Sequence, residues 1–227
     1  MSKWEIRSLP SDDAEVRAIG EDRAIEGYGI VFNKWSVDLG GFREMILPEA
    51  VDGVIERSDV FALMNHSFDK GVLARCTQGK GSMKLTIDDK GVKYSFAAPR
   101  YDLGNELLEG VGRGDIRSSS FSFTVAPKGD KFEKGEDGMW ERTVRKFDRV
   151  FDMSPVYSPA YTDTTVAKRS IEELEADKSQ EPIETKPPDS VELSVEPIVE
   201  YQRKVVSDVE LRYRQYKQEL ELKNLSE

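Results

Sequence analysis

From residue 1 to about residue 170 the apolar and polar positions follow mostly the two-residue rhythm of strands, with a few helices set among them. Gly27-Tyr28-Gly29-Ile30-Val31-Phe32 reads as a strand whose glycines let neighbouring groups approach closely. Val60–Met64 reads as a buried strand, and Gly71–Arg75 as a second one just after it. Met83–Ile87 and Val92–Phe96 flank Asp88-Asp89-Lys90-Gly91, the pattern of a hairpin with a glycine-closed turn. Pro48-Glu49-Ala50-Val51-Asp52 has the proline and acids of a first helical turn. Leu103, Leu107, Leu108 and Val111 recur at helical spacing and are closed by Gly112 and Gly114. Two further strands are predicted, around Ser118–Ala126 and Trp140–Met153. Helices set between antiparallel strands predict an α+β fold. The expected form is a mostly antiparallel, closed or nearly closed β-barrel with inserted helices.

After residue 170 the pattern changes. Between Ile171 and Glu200 ten acids face only Lys178 and Lys186, a balance of −8, with Pro182, Pro187, Pro188 and Pro197 interspersed. Such a segment buries too little apolar area to offset its ordering entropy, so residues 171–200 are expected to be a disordered linker. Val206, Val209, Tyr213, Tyr216 and Leu220 then repeat at 3-4-3-4 spacing, which predicts an amphipathic helix within residues 201–227. That seam suits self-association through residues 206–220 and packing on the chain's own domain equally well. The expected organisation is therefore a domain over 1–170, the acidic linker over 171–200 and the helix over 201–227.

Composition agrees with this division. Hydrophobic residues are 38% and charged residues 33% of the 227 positions, the balance of a folded part diluted by a solvated one. All 17 glycines lie between Gly20 and Gly138, and the last tryptophan or phenylalanine is Phe151. The net charge of −10 argues against nucleic acid as a partner, because phosphate backbones reward Lys and Arg. No stretch approaches the ~18 consecutive apolar residues of a membrane span, and Met-Ser-Lys-Trp-Glu-Ile-Arg lacks the apolar core of a secretion signal. A lone cysteine, Cys76, fits a reducing compartment, and one Cys with one His makes a zinc site improbable. No cofactor is expected.

Three short segments carry the candidate chemistry. His66, the single histidine, stands just past the strand ending at Met64. A strand end opening into a short loop is a common platform for a reactive side chain. In Arg117-Ser118-Ser119-Ser120-Phe121-Ser122-Phe123-Thr124-Val125 alternation puts Phe121, Phe123 and Val125 on one face and Ser118, Ser120, Ser122 and Thr124 on the other, outer face. In Phe147–Met153 the same rule groups Asp148, Val150 and Asp152. An acid there could orient a histidine and stabilise its imidazolium, or simply pair with Arg145 or Arg149.

Taken in order, these blocks resemble the phage prohead (capsid maturation) protease family. Gly27–Phe32, Phe42-Arg43-Glu44 and Leu47-Pro48-Glu49-Ala50 are similar to its N-terminal blocks. Asn65-His66 with Gly71–Arg75 matches its histidine block, and Gly114–Arg117 through Ser120-Phe121-Ser122-Phe123 its serine block. Asp152-Met153-Ser154-Pro155-Val156, Pro159-Ala160-Tyr161 and Asp163-Thr164 match its closing block. The resemblance covers residues 5–168 and implies a fold similar to the herpesvirus assemblins. It implies His66 as general base and Ser120 as nucleophile, with Asp152 or, in reserve, Asp148 as the orienting acid. Ser122 stands where the family usually has glycine, and alternation alone excludes neither Ser118 nor Ser122 as the nucleophile. Oxyanion donors implied are backbone amides near Ser120, or Arg117 or Arg145. The implied activity is a serine endopeptidase inside the immature capsid in the host cytoplasm. Its implied substrates are the major capsid protein or its scaffold segment, and its own tail. The competing reading is a non-catalytic assembly or scaffolding module with a protease-like fold.

Overall fold

The computed structural model describes residues 4–20 and 22–157. The expected linker over 171–200, the helix over 201–227 and the boundary near 170 lie outside those residues. In chain order the strands are β1 Glu5–Leu9, β2 Arg17–Ile19, β3 Ala24–Val31, β4 Phe42–Ile46, β5 Asp59–Ala62, β6 Ala74–Thr77, β7 Lys80–Gly81, β8 Met83–Ile87, β9 Gly91–Ala97, β10 Ser118–Val125, β11 Asp130–Lys134, β12 Trp140–Val144 and β13 Phe147–Val156. Two α-helices, α1 Ser11–Ala14 and α2 Asp102–Arg113, accompany them, with short 3-10 turns at Pro48–Val51, Ile55–Arg57 and Phe68–Lys70.

The strands form three open sheets, ordered β1-β10-β13-β5-β6-β7, β11-β12-β4 and β2-β3-β9-β8. This corrects the expected closed or nearly closed barrel: among the described residues the fold is mostly sheet with few helices, and no sheet closes. Closure needs the two outer strands of a sheet to meet in register. Here the six-stranded sheet ends in five-residue β1 on one side and two-residue, fully exposed β7 on the other, and these do not pair. Pairing is antiparallel except for β4 with β12 and β5 with β13.

The six- and four-stranded sheets bury one shared core. Ile25, Ile30, Val92, Tyr94 and Phe96 come from the four-stranded sheet, and Phe121, Phe123, Phe147, Val150 and Met153 from the other. The close approach expected at the β3 glycines is real, and the groups that approach are side chains. A β carbon at Gly29 would sit 2.7 Å from Met153 Sδ, and one at Gly27 2.7 Å from the Tyr94 hydroxyl. The three-stranded sheet carries its own small cluster of Leu39, Phe42 and Trp140, with Phe132 against it.

The hairpin and the helix are where the pattern places them. Asp88 Oδ1 accepts from the amides of Lys90 and Gly91 and ties the β8–β9 turn. Helix α2 ends on Gly114 in the left-handed region at φ 79°, the usual glycine stop. The stretch from Trp140 to Met153 is two strands rather than one. Its corner forms where the amides of Arg145 and Lys146 both donate to Gly129 O, at 2.7 and 2.9 Å. Gly71 leaves the extended region at φ 96°, so the second strand of that pair starts only at Ala74. Among the described residues no helix is long and apolar enough to cross a membrane.

Candidate active site

β10 lies inside the six-stranded sheet, between β1 and β13, so both edges of its backbone are paired. Its alternation holds. Phe121 and Phe123 turn into the core, where their rings lie 5.1 Å apart and pack on Phe147. Ser119 points the same way and hydrogen-bonds the Tyr94 hydroxyl at 2.9 Å. Burial pushes the Tyr94 phenol well above its ordinary range, so it stays protonated and Ser119 stays engaged.

Ser118, Ser120, Ser122 and Thr124 occupy the opposite face, which is buried rather than outward as expected. β1 runs beside β10 in the same sheet, with Ser8 opposite Ser120. Ser120 Oγ donates to the carbonyl of Arg7 at 2.9 Å and accepts from Ser8 Oγ at 3.1 Å.

β13 does not follow simple alternation. Its register against β10 shifts twice, once between the pairs Ser122↔Asp152 and Phe123↔Val150, and again between Thr124↔Arg149 and Val125↔Phe147. Each shift inserts one extra residue, Phe151 in the first and Asp148 in the second. Phe147 and Val150 can thus both enter the core, and Asp152 falls opposite Ser122 on the serine face. The expected grouping of Asp148, Val150 and Asp152 on one face is therefore corrected. Asp152 is buried beside the hydroxyl row, whereas Asp148 is exposed and offers only its carbonyl, to Arg57 Nε at 3.2 Å.

His66 reaches Asp152 from the turn after β5. Asn65 and His66 both have positive φ, 51° and 58°, and the amide of Ser67 closes onto Met64 O at 3.1 Å. Two consecutive left-handed residues mark a primed turn, a conformation that asparagine and histidine tolerate better than most. β13 holds the turn in place. The Asn65 amide donates to Pro155 O at 3.4 Å, and Asn65 Oδ1 accepts from the Tyr157 amide at 3.1 Å. Tyr157 is anchored in turn by its hydroxyl to Glu106 of α2, a hydrogen bond that pushes its phenol up to about 12.

The result is a close His–Asp pair. His66 Nδ1 lies 2.6 Å from Asp152 Oδ1, and the same carboxylate accepts from Ser154 Oγ at 2.8 Å and from Ser122 Oγ. Ser154 Oγ accepts in turn from the Leu63 amide at 3.1 Å, joining β13 to the strand that leads to His66. With Nδ1–H given to the carboxylate, the lone pair of the neutral ring sits on Nε2. That atom is buried and, among the described residues, has no hydrogen-bond partner.

The fold thus brings together His66 and Asp152, places Ser120 on the same sheet face as Asp152, and leaves Asp148 outside. Ser120 Oγ is hydrogen-bonded to β1 and not to His66. Arg117 and Arg145 are both exposed, and neither hydrogen-bonds His66, Ser120 or Asp152. Among the described residues no cluster of His, Cys, Asp or Glu could hold a metal. From the sequence neither Ser154, quoted only as part of the closing block, nor the Arg7–Ser8 segment receives a role. Ser154 had a readable signal, two residues beyond Asp152 on one strand. Arg7 and Ser8 had none, because their role follows from a strand pairing 112 residues apart for Ser8 and Ser120.

A profile of the caudovirus prohead serine proteases matches residues 12–177. Among solved structures the chain is similar to the bacteriophage T4 capsid assembly protease gp21, at 10% identity over 69% of this chain and 98% of that one, with a TM-score of 0.37. No curated protein sequence matches it.

Proposed function

Because the chain belongs to the caudovirus prohead serine protease family, we propose that it is a serine endopeptidase of the immature phage capsid in which Ser120 is the nucleophile, His66 the general base and Asp152 the orienting acid. The observation that carries this reading is the His66–Asp152 pair at 2.6 Å, which leaves Nε2 as a buried acceptor without a partner among the described residues. A ring in that tautomer needs only a hydroxyl within reach to become a base. Ser120 is the serine named by the family's block, and it shares the sheet face of Asp152.

In the reaction the Ser120 hydroxyl turns from the Arg7 carbonyl to His66 Nε2 and attacks the scissile carbonyl as the ring takes its proton. The imidazolium then gives that proton to the leaving amine, and water repeats the sequence on the acyl-enzyme. Asp152 keeps Nδ1–H engaged throughout and stabilises the imidazolium. Asp148, exposed in its bulge, has no part in the chemistry.

The substrates in this reading are the major capsid protein or its scaffold segment, met inside the shell, and the chain itself. The acidic, proline-bearing stretch over 171–200 is the segment most readily cut, and the 206–220 seam would hold the enzyme to scaffold, capsid or a second copy. Coexpression with the capsid protein of the same phage tests the reading by mass spectrometry. Defined fragments of the capsid protein are expected. Intact chains of both proteins would show the assembly-module reading to be the right one.

A further inference from the structure

Asp152 is served by more than the histidine. Its carboxylate lies opposite Ser122 in the β10–β13 pairing and two residues before Ser154 on β13, so a hydroxyl approaches from each strand. Ser154 Oγ donates to Oδ1, the oxygen that also faces His66 Nδ1, and Ser122 Oγ donates to Oδ2. All three groups are buried, with Ser154 at 0%, Ser122 at 1% and Asp152 at 4% exposure. Neither hydroxyl is free to act elsewhere. Ser154 is fixed by the Leu63 amide as well, and Ser122 spends its proton on the carboxylate.

We infer that Ser122 and Ser154 are positioning residues that clamp the Asp152 carboxylate in the orientation presenting Oδ1 to His66 Nδ1, and so select the histidine tautomer with its lone pair on Nε2. A carboxylate with one donor can rotate about its terminal torsion, which is broad and roughly two-fold. With a donor on each oxygen, rotation breaks a charge-assisted hydrogen bond whichever way it turns. The tautomer follows from that orientation, since the nitrogen facing a fixed acceptor carries the proton. Ser122 is thereby the servant of the acid, which separates it from Ser120 although the two share a strand face. The inference rests on the proposed role of Asp152, but its first readout does not depend on activity.

His66 is the single histidine, so the imidazole nitrogens of the 15N-histidine-labelled chain report one residue. In full-length Ser120→Ala protein with the imidazole neutral, the Nδ1–H form alone is expected. Adding Ser122→Ala and Ser154→Ala should bring in the Nε2–H form, the one free side chains favour, while Ser122→Thr with Ser154 intact should restore Nδ1–H. A doubly substituted chain that keeps Nδ1–H unchanged would overturn the clamp. Cleavage of added capsid protein gives a second arm with Ser120 present, for the case in which the double variant does not fold. Ser122→Ala should lower kcat about tenfold to a hundredfold at unchanged KM, as expected for one hydrogen bond to a charged group, and Ser122→Thr should recover most of it. Equal kcat in Ser122→Ala and the parent chain would overturn the clamp by this arm. If Ser120→Ala itself still trims while the tautomer shifts as expected, the nucleophile is misassigned and the clamp stands.

Discussion

Asp152→Asn is expected to lower cleavage of the capsid protein and of the chain's own tail by about 10⁴-fold, the cost of holding a triad histidine in the wrong tautomer. The geometry explains why the loss should be so large for a change of one atom. Oδ1 accepts from His66 Nδ1 at 2.6 Å, and the same carboxylate also accepts from Ser122 and Ser154. An amide in that place has one accepting oxygen for three donors, and its NH2 must face at least one of them. Turning the NH2 toward Nδ1 forces the proton to Nε2, where it blocks the base. Turning it toward Ser122 leaves the imidazolium of the reaction without its counter-charge. Asp148→Asn provides the control, because that side chain is exposed in a bulge and its carbonyl contact to Arg57 is unaffected. Initial rates of fragment appearance for the two variants check this. Comparable rates in Asp152→Asn and the parent chain would remove Asp152 from the mechanism, and a loss in Asp148→Asn would return that residue to it.

The second large effect is on stability. Arg142 of β12 binds Glu5 of β1 through both terminal nitrogens, at 2.5 and 2.8 Å, Glu44 of β4 at 2.8 Å and Asp130 of β11 at 2.8 Å. Arg7 completes the cluster, with Nε and Nη2 each 2.9 Å from Glu44 and Nη2 2.6 Å from Glu5. These side chains keep between 3% and 11% of their surface, Asp130 apart at 25%. Arg142→Ala would leave Glu5 and Glu44 facing Arg7 alone in a largely dry site and take from Asp130 its arginine, and a loss of about 3–5 kcal/mol is expected. Urea unfolding followed by fluorescence measures it, and a change under about 1 kcal/mol would show that the cluster is solvated. Burial works to raise the Glu5 pKa, but hydrogen bonding and charge from Arg142, joined by Arg7, outweigh it and hold the carboxyl below its ordinary value. A depressed folded-state value means stability that is present above the unfolded pKa and lost as pH falls through the depressed one. The parent chain should therefore lose stability on acidification more steeply than the Arg142→Ala variant. The same cluster anchors β1, and through it the Arg7 carbonyl that receives the Ser120 hydroxyl.

How far the chain could be read from its letters depends on where the physics is local. The β8–β9 hairpin and α2 were legible because turn chemistry and helical spacing lie within a few residues of each other. The division of β10 into a phenylalanine face and a hydroxyl face was legible for the same reason, since period-two alternation needs no partner strand. The partners of Ser120 on β1 were not, because Glu5-Ile6-Arg7-Ser8-Leu9 looks like solvated text until Arg142 and Glu44 are brought to it. The two bulges in β13 were equally hidden. They decide which aspartate meets His66, yet an extra residue in a strand leaves no mark in a hydrophobic pattern. Barrel closure failed as an expectation because it rested on antiparallel strands with helices set among them, and closure is decided by what the outer strands pair with. At the site itself His66 and Asp152 were both named from the sequence. Their contact was not visible in it, since it is made by a left-handed turn at Asn65-His66 and a register shift 86 residues later.

Ser120 supplies the attacking hydroxyl of the proposed reaction, and the intact mass of the purified full-length chain over time tests that role. The parent chain should convert to a form shortened within its acidic C-terminal stretch, whereas Ser120→Ala should keep the full mass of 227 residues throughout. A Ser120→Ala chain that shortens at the parent rate would contradict the assignment.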